Sequence, residues 1–168
     1  MAEATIGEAE AVAVPDLGEN PLLLERQVCF ALAIANRSVL RIYRRLLEPL
    51  GLTHPQYLVM LALWESSPRA VKDLGAVLQL DSATLSPLLK RLETNGLIQR
   101  RRRDDDERNV DIALTDTGWA LREQALTIPP AVVDALGVDL ADLEDLHRVL
   151  TRVNVAAVRA AHAPEPLA

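Results

Sequence analysis

The feature of the sequence that most constrains its fold is a pair of apolar stripes at helical spacing. The first stripe consists of Val71, Leu74, Val77 and Leu78, and the second consists of Leu85, Leu88, Leu89 and Leu92. Each stripe predicts a short helix with one buried face. A break at Gln79-Leu80 separates the helices, and Asp81 or Ser82 caps the second one. Asn95-Gly96 ends it, because glycine adopts the left-handed conformation at little cost. Two short helices joined by a tight turn form a helix-turn-helix.

A pair of strands is predicted directly after these helices. Residues 97–102 form one strand and residues 109–114 its partner, in which Val110, Ile112 and Leu114 alternate. The six residues between the strands are too polar to be buried, and Thr115 caps the helix that follows. The expected fold is therefore mainly α with a small β-hairpin, arranged as a winged helix-turn-helix, which is a DNA-binding shape.

The charges around the second helix favour DNA as the partner. Its basic residues and those just after it are Lys90, Arg91, Arg100, Arg101, Arg102, Arg103 and Arg108. Ser82, Thr84 and Ser86 lie at the N-terminal end of the helix, which meets base edges in this motif. Arg100 is expected to brace the wing or to touch phosphate. The alternative is a solvated basic face on an ordinary helical protein, which would leave the helix pair and the strand pattern without a role.

Long amphipathic helices are predicted on both sides of this unit. Residues 21–48 have two parallel apolar rows: Leu24, Val28, Ala31, Ala35, Val39, Ile42 and Leu46 in one, and Leu22, Cys29, Leu32, Ala33, Leu40, Tyr43 and Leu47 in the other. Residues 116–126 are expected to be helical, and Ile128-Pro129-Pro130 to break or kink the chain. Asp139 caps a last helix, whose apolar residues are Leu140, Leu143, Leu146, Leu150 and Val153.

These helices have more apolar surface than one winged helix can cover. We therefore expect a homodimer formed by residues 21–52 and 116–162, with residues 53–115 as the DNA-binding domain. Residues 1–20, which contain five acidic residues and no basic one, are expected to be a flexible tail, and residues 163–168 a frayed end.

A further helix start is encoded by Thr53-His54-Pro55-Gln56. Threonine caps the helix, proline occupies the first turn, and glutamine follows three residues after the cap. The helix should run to about Glu65, with an apolar side of Tyr57, Met60, Leu61 and Trp64. Tyr57, Trp64 and Phe30 are expected to be core residues.

Composition excludes several classes of function. The formal net charge of −6 argues against a general nucleic-acid binder, although the acidic residues concentrate towards the two ends of the chain. One cysteine excludes an intramolecular disulfide and a cysteine-based zinc cluster, so neither a metal nor a cofactor is expected. No apolar run approaches the roughly 18 residues of a membrane span, and no secretion signal is present. A cytoplasmic protein without catalytic residues is expected.

Several short motifs resemble the MarR family of bacterial transcription regulators. Asp106-Glu107-Arg108, the alternating strand, Leu114-Thr115 and Gly118 match the wing pattern of that family. The chain is similar in particular to the organic hydroperoxide resistance regulators. The matching segments are Cys29-Phe30, Pro55-Gln56-Tyr57, Leu63-Trp64-Glu65, Leu80-Asp81-Ser82 and Leu88-Leu89-Lys90-Arg91.

The resemblance implies a repressor that releases DNA when organic hydroperoxide oxidises Cys29. Without a second cysteine, the oxidised sulfur would react with a small external thiol or a backbone amide. In the subgroup, tyrosine hydroxyls hold the thiolate; Tyr43 matches one such position, whereas His54 and Ala33 replace two others. Tyr43 lies 14 residues beyond Cys29, about 21 Å along a straight helix, so it would have to come from the partner subunit.

The resemblance also implies a role in DNA binding for the wing, the predicted hairpin of residues 97–114. Arg108, oriented by Asp106, would enter the minor groove, where narrow A·T-rich DNA attracts arginine. A solvated salt bridge between these two residues is the alternative.

Three alternatives stay open at this point. Cys29 could be a small buried hydrophobe in a regulator that responds to an aromatic ligand. The chain could be a thiol peroxidase, although a resolving thiol is missing and the wing would then have no role. His54 could donate a hydrogen bond to the thiolate or be an exposed first-turn residue.

Overall fold

The computed structural model describes Asn20, residues 22–102 and residues 110–161 of the 168-residue chain. The backbone divides into two compact units, Met1–Ser38 and Val39–Ala168. The elements in chain order are α1 (Val28–Leu47), α2 (His54–Glu65), β1 (Arg69–Ala70), α3 (Val71–Leu78), α4 (Ser82–Thr94), β2 (Ile98–Arg102), β3 (Val110–Leu114), α5 (Asp116–Ala125), α6 (Ile128–Leu136) and α7 (Leu140–Ala161). Short 3₁₀ turns at Leu24–Arg26 and Glu48–Leu50 flank α1.

The first unit differs from the predicted long helix in two ways. The helix begins at Val28 rather than at Pro21, because Gln27 is extended and separates it from the 3₁₀ turn. The apolar rows are not buried within the chain here: Val28 is 68% exposed, and Phe30 is half-buried outside the core. The end of the same helix differs, because Leu47 is fully buried and Tyr43 packs against the core.

The core of the second unit is built around α2. Capping of this helix follows the prediction: the Thr53 backbone N–H donates to Gln56 Oε1 at 2.9 Å, and the Thr53 hydroxyl donates to the same oxygen at 3.0 Å. The predicted apolar side was partly wrong. Leu61 is 41% exposed, whereas Val59 and Leu63 are fully buried, because neighbouring elements pack around α2 on more than one side.

The helix-turn-helix has the predicted form. Leu74 of α3 is fully buried, but Val77, which was assigned to the same stripe, is 56% exposed. Gln79 adopts a left-handed conformation (φ 52°, ψ 42°) and turns the chain into α4. The α4 stripe faces the core through Leu85, Leu89 and Leu92, and Gly96 ends the helix with φ 71°.

The sheet has three strands rather than the two of the predicted hairpin. The strand order is β1-β3-β2, and both pairings are antiparallel. Arg69 of β1 lies opposite Ile112, and Ile98 of β2 lies opposite Leu114. The two-residue β1 therefore ties the start of α3 to the wing.

The segment after β3 follows the prediction and adds one helix. Thr115 caps α5 as predicted, and its hydroxyl oxygen accepts from the Gly118 N–H at 3.0 Å. The predicted break at Ile128-Pro129-Pro130 is confirmed, since α5 ends at Ala125. These residues then begin α6, which was not predicted, because proline in the first helical turn lacks only an N–H that would be unpaired anyway. The last helix, α7, contains no buried residue. Among the described residues, no helix is long and apolar enough to cross a membrane.

Candidate nucleic-acid interface and sensor cysteine

The predicted recognition helix α4 is fixed from its apolar side and exposed on the other. The Asp81 carboxylate accepts from the Thr84 N–H at 2.7 Å, and these hydrogen bonds hold the pKa of Asp81 below its usual range. Ser82, Thr84 and Ser86 are all exposed at this end, as predicted. The Ser86 hydroxyl donates to the Ser82 carbonyl at 2.7 Å, so its oxygen can still accept from a base edge.

Basic side chains follow the polar end of α4. Lys90 and Arg91 are exposed, and so is Arg101 on β2. Arg100 Nε donates to Glu93 Oε2 at 3.2 Å, which links the first wing strand to the recognition helix. The predicted Asp106 and Arg108 lie outside the described residues.

Two residues of this surface were not identified from the sequence. Glu93 is the partner of Arg100, and its position seven residues before Arg100 across the Asn95-Gly96 turn was the available signal. Lys72 of α3 lines a groove of about 790 Å³ together with Ser82 and Arg100. The first helix of this motif crosses the DNA backbone, so a cation here is suited to phosphate.

A junction behind the recognition helix joins α2, the end of α4 and the start of α5. The Thr115 hydroxyl donates to the Gly96 carbonyl at 2.6 Å, and the Thr115 N–H donates to the Leu97 carbonyl at 3.1 Å. The Trp64 indole Nε1 donates to the Gly118 carbonyl at 2.9 Å. Gly118 has no room for a side chain: a Cβ there would lie 2.1 Å from the Leu97 carbonyl oxygen. We call this set of five residues the α5 junction.

A row of aromatic side chains leads from the end of α1 to the α5 junction. The ring of Tyr43 meets the His54 imidazole edge-on, with 4.7 Å between centroids, and lies 6.1 Å from the ring of Tyr57. Tyr57 in turn lies 6.3 Å from Trp64. We call Tyr43, Tyr57 and Trp64 the aromatic row. These distances are typical of interacting aromatic pairs.

Burial shifts the pKa values of Tyr43, Tyr57 and His54. It raises the pKa of Tyr43 and of Tyr57, and the mutual charge of the two phenolates raises that of Tyr57 further. Both hydroxyls are therefore donors at neutral pH. Burial lowers the pKa of His54, so its imidazole is neutral at pH 7 and offers an N–H rather than a positive charge. His54 is half-buried in the first turn of α2.

Cys29 lies near the start of α1 in the first unit, and its side chain is exposed. The alternative interpretation, a small buried hydrophobe, finds no burial within the single chain. In the described part of the chain, no three His, Cys, Asp or Glu side chains are grouped as metal ligands.

Comparison with known proteins gives a consistent result. The family model for the transcriptional regulator SarA/Rot matches residues 41–124. The organic hydroperoxide resistance transcriptional regulator of Bacillus subtilis is 45% identical over 126 residues, which are 75% of this chain and 84% of the relative. The regulator MgrA of Staphylococcus aureus is 39% identical over 131 residues, 77% of this chain and 89% of the relative.

A solved structure extends the similarity to the fold. The reduced AbfR bound to DNA superposes with a TM-score of 0.73 and 30% identity, covering 86% of this chain and 99% of AbfR. The helix-turn-helix and the sheet beside it are the elements expected of the transcription regulators to which the chain is similar. The chain belongs to the MarR family of winged helix-turn-helix transcription regulators, within the organic hydroperoxide resistance regulators.

Proposed function

We propose that this chain is a homodimeric repressor that binds operator DNA and releases it when an organic hydroperoxide oxidises Cys29. The single observation that carries the proposal is an exposed lone thiol in a chain 45% identical to a regulator named for organic hydroperoxide resistance. The thiol is reactive only as a thiolate, so its hydrogen-bond partners determine whether it can respond to peroxide.

Uncovered apolar surface supports the dimer. None of the 22 residues of α7 is fully buried, although the helix includes Leu146, Val149 and Val153. Val28 and Leu32 of α1 are exposed as well. Apolar side chains concentrated on whole helices mark association sites rather than solvated surface. A two-fold dimer through residues 21–52 and 116–162 covers both helices and presents two copies of α4 to successive major grooves.

The contacts with DNA follow from the exposed side of α4. Ser82, Thr84 and Ser86 read base edges, while Lys90 and Arg91 neutralise phosphates. Arg108, oriented by Asp106, enters the minor groove. The expected effect of Arg108→Ala is weaker operator binding with an unchanged dimer, measured by fluorescence anisotropy and sedimentation. Unchanged affinity would remove the wing from the interface.

The sensing step is a two-electron oxidation of sulfur. The Cys29 thiolate attacks the distal peroxide oxygen; an S–O bond forms, the O–O bond breaks, and the alkoxide leaves and takes a proton to become an alcohol. The resulting sulfenic acid condenses with a small external thiol, which yields a mixed disulfide and water. No second cysteine of the chain is available for this role.

Tyr43 of the partner subunit is the proposed hydrogen-bond donor to the thiolate, and His54 supports it. A protonated hydroxyl is the required donor. Tyrosine has an ordinary pKa of about 10, and burial raises the pKa of Tyr43 further. The edge-on contact with His54 fixes the orientation of the Tyr43 ring. Oxidation of the sulfur replaces the thiolate acceptor, and the Tyr43 hydrogen bond is lost.

The experiment is a titration of an operator complex with cumene hydroperoxide and with hydrogen peroxide, for the wild type and Cys29→Ser. We expect release by the organic peroxide and no release in the variant. Release that persists in Cys29→Ser would favour the regulator with an aromatic ligand. Repeated turnover of peroxide with a thiol reductant would favour the peroxidase.

A further inference from the structure

The α5 junction ties the recognition helix to two other helices. Thr115 Oγ1 donates to the carbonyl of Gly96, the residue that ends α4, at 2.6 Å. Trp64 Nε1 reaches from α2 to the Gly118 carbonyl in the first turn of α5 at 2.9 Å. The carbonyl of Leu97 is so close to Gly118 that no Cβ fits between them. A displacement of any one of these three helix ends must therefore move the others or break a hydrogen bond.

Trp64 also belongs to the aromatic row. Its ring lies 6.3 Å from that of Tyr57, which lies 6.1 Å from that of Tyr43. Tyr57 is 3% exposed, and Tyr57 and Trp64 line the same groove of about 230 Å³. A shift of the Tyr57 ring therefore changes the packing of Trp64, because the two side chains border one space.

We propose that Trp64 is a positioning residue that couples Tyr43 to the recognition helix. The proposal rests on the peroxide response proposed above. When the Tyr43 hydroxyl loses its acceptor, the ring shifts, Tyr57 follows, and the Trp64 indole moves with the carbonyl it holds. Thr115 then transfers the movement of α5 to the end of α4 through Gly96. The aromatic row carries the displacement by packing, and the α5 junction carries it by hydrogen bonds.

The test compares the operator Kd of oxidised and reduced protein in two matched variants. Trp64→Phe keeps an aromatic ring against Tyr57 but removes the indole N–H. Trp119→Phe changes the other of the two tryptophans, which is 45% exposed on α5. We call the operator Kd of the oxidised protein divided by that of the reduced protein the Kd ratio. This ratio should fall about fivefold in Trp64→Phe, because a hydrogen bond of about 1 kcal/mol corresponds to that factor. It should stay at the wild-type value in Trp119→Phe.

A second pair of variants tests the other end of the junction. Thr115→Val removes the hydroxyl, and Thr115→Ser keeps it. Only Thr115→Val should lower the Kd ratio. Because both states share any loss of stability, a purely structural role leaves the ratio unchanged. A spectroscopic readout is available in Trp119→Phe, where Trp64 is the only tryptophan, and its emission maximum should shift when Cys29 is oxidised.

The outcomes separate the inference from the function on which it rests. A wild-type protein that keeps its operator after oxidation would overturn the proposed function. A responsive wild type together with an unchanged ratio in Trp64→Phe and Thr115→Val would overturn the role of Trp64 alone. An emission maximum that does not shift on oxidation would also contradict it.

Discussion

Replacing Gly118 with alanine is expected to destabilise the fold by about 3 kcal/mol, although alanine normally stabilises a helix. The reason is that Gly118 of α5 lies very close to the backbone of Leu97, just after α4. An added Cβ would lie 2.1 Å from the Leu97 carbonyl oxygen and 3.2 Å from Leu114 Cδ2. The first neighbour is a backbone atom, which cannot rotate away as the tip of a side chain can.

The size of the effect follows from the movement required. Real Cβ contacts are essentially never shorter than 3.0 Å, so α5 and the backbone of Leu97 must separate by about 0.9 Å. A separation of that size strains the hydrogen bonds of Trp64 and Thr115, each worth about 1 kcal/mol. Overpacking adds about 1–3 kcal/mol, and the helix propensity of alanine offsets about 1 kcal/mol.

The assay is urea unfolding followed by circular dichroism, at one protein concentration because the stability of the proposed dimer depends on it. Thr117→Ala is the matched control, since Thr117 is exposed in the same helical turn. It should change the free energy of unfolding by less than about 0.5 kcal/mol. A Gly118→Ala protein within about 1 kcal/mol of the wild type would refute the close-approach argument.

Two further predictions concern the core and the aromatic group. Leu89→Ala should lower the free energy of unfolding by about 2–5 kcal/mol, because Leu89 is only 1% exposed. Leu61→Ala should lower it much less, because Leu61 of α2 is 41% exposed. Urea unfolding measures both losses, and equal losses would contradict the assigned packing. Burial lowers the pKa of His54 in the folded state. At a pH between the folded and unfolded pKa values, the unfolded state therefore binds more protons than the folded state. The free energy of unfolding should consequently fall as the pH drops below about 6.5, the ordinary pKa of histidine. Melting temperatures of wild type and His54→Gln from pH 8 to 5 should converge at low pH, and parallel curves would contradict this assignment.

Local signals were sufficient for most helix ends. The Asp81 cap, the Gly96 stop and the Thr53 capping motif are formed within a few residues, so the sequence alone located α2 and α4. The cap signal also placed Ser82 at the start of α4, where it is exposed. The predicted break at Ile128-Pro129-Pro130 is confirmed, since α5 ends at Ala125. The helix that begins at Ile128 was not predicted, although proline in a first turn favours a helix.

Contacts between residues far apart in the sequence could not be predicted from such local signals. Strand β1 has two residues, and its partner Ile112 lies 43 positions after Arg69, so no local period indicates it. The link between Trp64 and Gly118 spans 54 positions and depends on how α2 packs against α5. Periodicity gave an apolar side of α1 around Val28, but it could not show that this side is exposed in the single chain.

The most direct test of the account measures oxidation of Cys29 and operator occupancy in the same sample. Increasing amounts of cumene hydroperoxide are added to the operator complex in the presence of a small thiol, mass spectrometry gives the fraction of modified Cys29, and anisotropy gives the fraction of DNA bound. The account predicts that release rises with the modified fraction and that a reductant restores both. Operator released while Cys29 stays reduced, or retained while Cys29 is fully modified, would contradict it.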